Sequence, residues 1–152
     1  MGWISDAYSS ITTIWRSYWE YKPTIEFDYK IAKRILSFCP NQVTDDAYKA
    51  ADFQYYEKLC GMNLWRLRKW VKDSHDCDNY AFEFFVTAKS IAPFLPLGVV
   101  FVSTPSGNHA LNFFITYTGM TYTFWYLEPQ TNEIFSYDIG MIKEYEPYFM
   151  VV

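Results

Sequence analysis

The spacing of apolar and polar residues changes near the middle of the chain, and this change divides the predicted structure in two. In the first half, apolar residues recur three or four positions apart, which is typical of amphipathic helices. A further helix is expected to begin at Cys77, after a polar run, and to end before Ala92 and Pro93. The predicted helices cover residues 6–20, 28–38, 45–60, 64–72 and 77–91.

The second half of the sequence has the shorter period and the residue types of β-strands. β-branched and aromatic residues dominate four segments, and the turn signals PSGN, TG and EPQTN separate them. Because these turns are short, consecutive strands are expected to pair as an antiparallel meander. The predicted strands cover residues 99–104, 110–117, 121–127 and 134–137.

Length and pattern together predict a single α+β domain over residues 1–152. Residues 1–69 form its helical part, and residues 70–152 contain the Cys77 helix packed on a C-terminal antiparallel sheet. Hydrophobic residues make up 51% of the chain, which is enough for a packed core. Charged residues make up 20%, which argues against a disordered acidic chain.

Aromatic residues are unusually frequent: 14 Tyr, 13 Phe and 6 Trp account for 22% of the 152 residues. A core of this size cannot bury all of these rings, so some are expected to line a cleft or an interface. Rings of the first half, such as Trp3, Trp15, Trp19, Tyr55 and Tyr56, are where we expect contact with a second copy of the chain or a particle partner.

The formal net charge of −4, from 13 basic and 17 acidic residues, argues against nucleic-acid binding, which normally requires a basic surface. The basic cluster in residues 66–72 has the spacing of a solvated helix face. The most apolar stretch, residues 91–102, contains two prolines and is too short to span a bilayer. The N-terminus lacks the features of a signal peptide, so we expect a soluble protein, cytoplasmic or particle-associated.

Three separated segments carry residues that suit nucleophilic catalysis. The first, DCDNYA, places Cys77 at the start of a helix, where unpaired amide groups and the helix dipole lower the pKa of a thiol. His109 begins one strand and Glu128 ends the next, so they are expected at the same level of the hairpin, within hydrogen-bonding reach. If the helix begins at that edge, the three residues can act as nucleophile, base and orienter. Taken alone, each of these three residues more often has a structural role. The other two cysteines, Cys39 and Cys60, are interpreted as buried structural thiols.

Asp76 and Asp78 flank Cys77, and their charges raise the pKa of a neighbouring thiol unless a cation compensates them. Carboxylate oxygens are the ligands that Ca²⁺ prefers. Asp76, Asp78 and Glu128 are therefore candidate calcium ligands. The alternative is that both aspartates cap the helix and face solvent. His75 lies too early to be the base and is expected at the surface.

The blocks DCDNYA, GNHALNFF and YLEPQTNEI resemble the papain-like cysteine-protease domain of the Marasmius oreades agglutinin type, which has stand-alone prokaryotic and phage relatives. The resemblance covers residues 70–137. It implies a papain-like fold with a calcium-dependent triad of Cys77, His109 and Glu128, and Asp78 as the metal ligand nearest the site. No carbohydrate-binding repeat precedes the domain, so the resemblance carries no lectin activity.

The resulting hypothesis is a papain-like thiol hydrolase that cleaves a peptide or amide bond of a protein substrate through an acyl-enzyme. Gln130 is a candidate donor to the oxyanion, and Trp70, Tyr80 and Trp125 are candidate walls of the substrate cleft. One alternative is a non-catalytic structural or interaction protein, such as a phage or viral particle component. Another is an acyltransferase of the transglutaminase type.

Overall fold

The computed structural model describes residues 25–152, and the predicted helix at residues 6–20 lies outside them, as do Trp3, Trp15 and Trp19. The described strands are β1 Ile25–Asp28, β2 Asn41–Gln42, β3 Ala47–Ala50, β4 Leu97–Thr104, β5 Gly107–Tyr117, β6 Tyr122–Glu128, β7 Glu133–Ser136 and β8 Glu146–Val151. The α-helices are α1 Tyr29–Ile35, α2 Phe53–Gly61, α3 Cys77–Ile91 and α4 Tyr137–Ile142, and a 3₁₀ turn covers Trp65–Leu67.

In residues 25–152 the strands form two sheets. The larger has six strands in the order β2-β8-β4-β5-β6-β7, and the smaller pairs β1 with β3. All pairs in the larger sheet are antiparallel except β2 with β8, which is parallel, so this sheet is mixed. The four strands β4 to β7 follow one another as a meander.

Strand β5 is buried on both faces, because a separate apolar layer covers each side of the sheet. Phe113 and Ile115 point into a cluster that includes Tyr48, from the smaller sheet. Phe114 points the other way, into a cluster with Tyr56 of α2 and other residues of α2 and α3. Side chains alternate across a strand, so a strand with apolar residues at consecutive positions suits this central place.

Helix α3 begins at Cys77, as the sequence pattern predicts, and lies against β4 and β5. Asn79 caps the start, where its Oδ1 accepts the Asp76 N–H at 3.2 Å. Asn112 fixes the helix to the sheet, because its buried side-chain amide donates to the carbonyls of Ala81 (2.9 Å) and Gly98 (3.1 Å). This bond holds the start of α3 at the edge where β5 begins.

The predicted helical first half of a papain-like α+β fold is wrong, because the described part of that half contains strands and the structure is mostly β-sheet. The segment predicted as a helix at residues 45–60 contains β3, and α2 begins only at Phe53. Asp52 sets that boundary by accepting the Tyr55 N–H at 2.9 Å. The helix predicted at residues 64–72 is a single 3₁₀ turn.

The C-terminal sheet also differs from the predicted meander, because β2 and β8 extend it into a mixed sheet. Strand β2 has only two residues, and its pairing depends on residues more than 100 positions away. The Met150 N–H donates to the Pro40 carbonyl at 3.0 Å, and the Val152 N–H donates to the Gln42 carbonyl at 3.1 Å. A local sequence pattern contains no signal for such a pair. None of the helices in residues 25–152 is long and apolar enough to cross a membrane.

Replacing Gly98 by alanine is expected to destabilise the protein. A Cβ atom there lies 2.0 Å from the Val151 carbonyl oxygen and 2.7 Å from the Phe113 ring, so β4 and β8 have to separate. Overpacking of this kind costs about 1–3 kcal/mol, and urea unfolding of Gly98→Ala measures it. Gly61→Ala is the control: no atom lies within 4 Å of its Cβ, so its unfolding midpoint should equal or exceed that of the wild type. Equal midpoints for Gly98→Ala and the wild type would contradict the packing described for β4.

Candidate functional site

His109 and Glu128 form a hydrogen-bonded pair at one edge of the larger sheet. His109 lies near the start of β5 and Glu128 ends β6, and the register of these strands brings the two side chains together. His109 Nε2 lies 2.6 Å from Glu128 Oε2, and both side chains are largely covered by their neighbours. The other carboxylate oxygen, Oε1, accepts the Gln130 N–H at 3.1 Å. The carboxylate is thus held on both sides and fixes the orientation of the ring.

Cys77 lies in the first turn of α3. Its side chain packs against a small buried cluster of Ala81, Val99 and Ala110. The backbone of Ala110, the residue after His109, is close enough to the thiol to lower its pKa. The start of α3 therefore packs against the start of β5, and a site shared by Cys77, His109 and Glu128 stays a prediction.

The environment of Cys77 favours the neutral thiol. Burial raises the pKa of Cys77, and the charges of Asp76 and Asp78 raise it further. The nearby backbone of Ala110 lowers the pKa but does not outweigh burial, so the pKa of Cys77 lies above its ordinary value. A position at the start of a helix predicts the opposite, a lowered pKa for Cys77. A thiol with a raised pKa is a poor nucleophile at neutral pH, because the thiolate is the reactive form.

Asp76 and Asp78 interact with each other, and this interaction moves their pKa values apart. It lowers the pKa of Asp76 and raises that of Asp78. Glu128, the third predicted calcium ligand, is bonded to His109 instead. In the part of the chain that the structure describes, no group of three His, Cys, Asp or Glu side chains is placed to hold a metal ion. Calcium binding at Asp76, Asp78 and Glu128 therefore stays a prediction.

The residues expected to assist a substrate occupy different places. Gln130 lies in the β6–β7 turn, where its backbone N–H bonds to Glu128. Tyr80 is buried, and its hydroxyl donates to the carbonyl of Arg68. Trp125 packs against Phe53, with ring centroids 4.8 Å apart. Trp70 is half exposed. None of the four lines the cavity described next.

A cavity of about 460 Å³ opens beside His109, between the β4–β5 turn and the segment that joins α4 to β8. The ring of Tyr145 lies edge-on to the ring of His109, with centroids 6.4 Å apart. Lys143 enters from the same segment, where it bonds to Glu133 at 2.6 Å and lies over the Phe135 ring. The cavity is lined by Thr104, Pro105, Ser106, Asn108, His109, Lys143 and Tyr145.

Most residues that line this cavity were not predicted from the sequence. Lys143 and Tyr145 precede β8, a strand that the pattern did not predict, so nothing placed them near His109. Ser106 was interpreted only as part of a turn signal, and Asn108 as part of that signal and of the GNHALNFF block, with no role in a cavity. His75 was expected at the surface, but its ring packs on Tyr80 with centroids 4.4 Å apart.

Comparison with known proteins gives structural neighbours only. No family model and no curated protein matches the chain. One similar solved structure is PSL1a in a complex with E64, at 21% identity and a TM-score of 0.71, covering 84% of this chain and 51% of that one. Another is the Polyporus squamosus lectin bound to the human-type influenza-binding epitope Neu5Acα2-6Galβ1-4GlcNAc, at 22% identity and a TM-score of 0.61, covering 75% of this chain and 42% of that one. The chain thus spans about half the length of these neighbours.

These findings correct the hypothesis drawn from the three sequence blocks. The structures that the chain resembles are those of lectins, not of papain-like proteases. The predicted cysteine peptidase is corrected with it, because the family on which that prediction rested is not the one that these structures are named for. The raised pKa of Cys77 agrees with this correction. The roles predicted for Cys77, His109 and Glu128 are not tested by these comparisons and stay predictions.

Alkylation of Cys77 is expected to be slower at pH 7 than that of N-acetylcysteine, because the raised pKa leaves less thiolate. As the pH is raised, the alkylation rate of Cys77 should still increase at a pH where the rate of N-acetylcysteine no longer changes. Iodoacetamide labelling followed by mass spectrometry of the Cys77 peptide measures the rate. Cys77→Ser is the control, because it retains the buried Cys39 and Cys60. Labelling at pH 7 faster than that of the free thiol would contradict a neutral Cys77.

Proposed function

We propose that this chain is a non-catalytic binding module whose cavity beside His109 binds a saccharide. The observation that carries the proposal is the composition of the cavity wall. It combines an aromatic ring with hydroxyl, amide, imidazole and ammonium groups in a space of about 460 Å³. Ligand sites in proteins combine apolar area with a few polar groups in this way.

A saccharide matches this wall in its own chemistry. A sugar ring carries hydroxyl groups around its edge, and these both donate and accept hydrogen bonds. Thr104, Ser106 and Asn108 offer matching groups. The C–H groups on the faces of a sugar are apolar, and the ring of Tyr145 offers an apolar surface with a polar tip.

In this proposal the His109–Glu128 pair orients a donor or acceptor toward the ligand. Glu128 does not line the cavity but fixes the ring of His109, which does. A fixed ring loses little conformational freedom when a ligand binds, which favours affinity. Cys77 lies behind this wall, where its neutral thiol packs between α3 and β5.

The neighbouring structures support the proposal without deciding it. One of them is a lectin bound to a sialylated trisaccharide. Their identity to this chain is 21–22%, which shows the fold alone, and about half of each neighbour lies outside the matched part. The cavity of this chain is therefore the reason to expect the ligand at His109.

Tyr145→Ala is expected to weaken saccharide binding about two- to tenfold, since an aromatic contact contributes about 0.5–1.5 kcal/mol. A glycan microarray that includes Neu5Acα2-6Galβ1-4GlcNAc and neutral Galβ1-4GlcNAc identifies the ligand of the wild type. Titration calorimetry with that ligand then measures the affinity of the variant.

Tyr148→Ala is the matched control for this experiment. Tyr148 is an exposed tyrosine of β8, three residues along the chain, and it does not line the cavity. Its replacement should leave the affinity unchanged. Equal losses in both variants, or a wild type that retains no saccharide on the array, would overturn the proposed function.

A further inference from the structure

The position of Glu128 depends on the conformation of the β6–β7 turn, because Glu128 is the first residue of that turn. Its carbonyl accepts the Asn132 N–H at 2.8 Å and the Thr131 N–H at 3.3 Å. Its carboxylate accepts the Gln130 N–H at 3.1 Å while the other oxygen bonds to His109. A turn that changed shape would move this carboxylate away from the imidazole ring.

Asn132 closes the turn with a left-handed backbone conformation, at a φ of 63°. Asparagine adopts this conformation more readily than other residues that carry a side chain. Its side-chain amide donates to the carbonyl of Cys60, at the end of α2, at 2.7 Å. The turn is therefore attached to a helix that lies more than 70 residues earlier in the chain.

Asn63 attaches the end of α2 to the turn in the opposite direction, from the helix side. It follows α2, is only 2% exposed, and points its side chain at the same turn. Its Nδ2 donates to the Pro129 carbonyl at 2.7 Å and to Asn132 Oδ1 at 2.9 Å. Three hydrogen bonds thus join the end of α2 to the turn, and two asparagine side chains supply all three donors.

We infer that the buried Asn63 and the partly buried Asn132 form a hydrogen-bonded lock that positions Glu128, and through it His109, at the cavity. Neither asparagine lines the cavity, so both are positioning residues. Hydrogen-bond partners behind a binding group hold its orientation, and their loss lowers affinity without removing a direct contact. The consequence for saccharide binding rests on the proposed function, whereas the placement of His109 does not.

Two variants break the lock in different ways. Asn63→Ala removes the donor to the turn and leaves the Pro129 carbonyl without its partner. Asn132→Gly removes the bond to Cys60 but keeps a residue that tolerates a positive φ, so the turn itself remains allowed. Asn132→Gly therefore keeps the inference testable if Asn63→Ala fails to fold.

The direct readout is the ¹⁵N resonance of His109 Nε2 in the full-length protein without ligand. The chain has two histidines, so His75 serves as an internal reference. We expect the His109 Nε2 resonance to move in both lock variants, because its bond to Glu128 is lost or lengthened. The resonances of His75, whose ring packs on Tyr80, should keep their wild-type positions.

Thr116→Val is the matched control. Thr116 is buried, lies on the same strand as His109, and accepts the Trp125 indole N–H at 2.9 Å. Its replacement removes a comparable hydrogen bond without touching the turn, so His109 should be unaffected. The inference is overturned if both lock variants fold and keep the wild-type His109 resonance, or if Thr116→Val moves it as far. It is also overturned if both lock variants unfold where Thr116→Val is folded, because the asparagines would then be requirements of the fold.

Saccharide affinity supplies the second readout. The lock variants are expected to bind the ligand found for the wild type about tenfold more weakly, as the loss of one hydrogen bond predicts. If the wild type binds no saccharide, the proposed function fails and the His109 resonance still decides whether the lock exists. An altered resonance with unchanged affinity would confirm the lock and contradict its role in binding.

Discussion

The burial of β5 on both faces is the constraint on which the rest of the described structure depends. Phe113 and Ile115 require an apolar layer on one side and Phe114 requires one on the other. The smaller sheet and α1 cover the first side, while α2 and α3 cover the second. The first residues of β5 lie outside these two apolar layers. His109 is one of them, and it lines the cavity. The site is thus the exposed end of the most buried strand.

The sequence predicted the elements whose signals are local. Helix α3 begins at Cys77 because polar residues precede it, and β4 to β7 follow from alternating β-branched and aromatic segments with short turns. Counting outward from one turn places His109 opposite Glu128, which lie 2.6 Å apart. Strands β2 and β8 could not be predicted in this way, because their parallel pair joins residues more than 100 positions apart. The cavity residues Lys143 and Tyr145, and the attachment of Asn63 to the β6–β7 turn, depend on the same long-range packing.

The predicted cysteine peptidase is wrong. The order of residue types in a sequence does not show how buried or how charged their surroundings are. A cysteine, a histidine and a glutamate in this order match a catalytic triad, but the reactivity of a thiol depends on burial and on neighbouring charge. Burial and two aspartates raise the pKa of Cys77. The structure shows a cavity lining in which Glu128 orients the ring of His109. The β6–β7 turn in turn positions Glu128. Such a lining suits a binding site, because its polar groups are already oriented.

Mapping of backbone amide shifts during a saccharide titration tests the central claim most directly, because it locates the ligand on the molecule. The account predicts that Ser106, Asn108, His109 and Tyr145 shift in a dose-dependent manner, while the exposed Met120 at the opposite end of β5 does not. Shifts confined to another surface, or no shifts with any ligand that the array identifies, would contradict it.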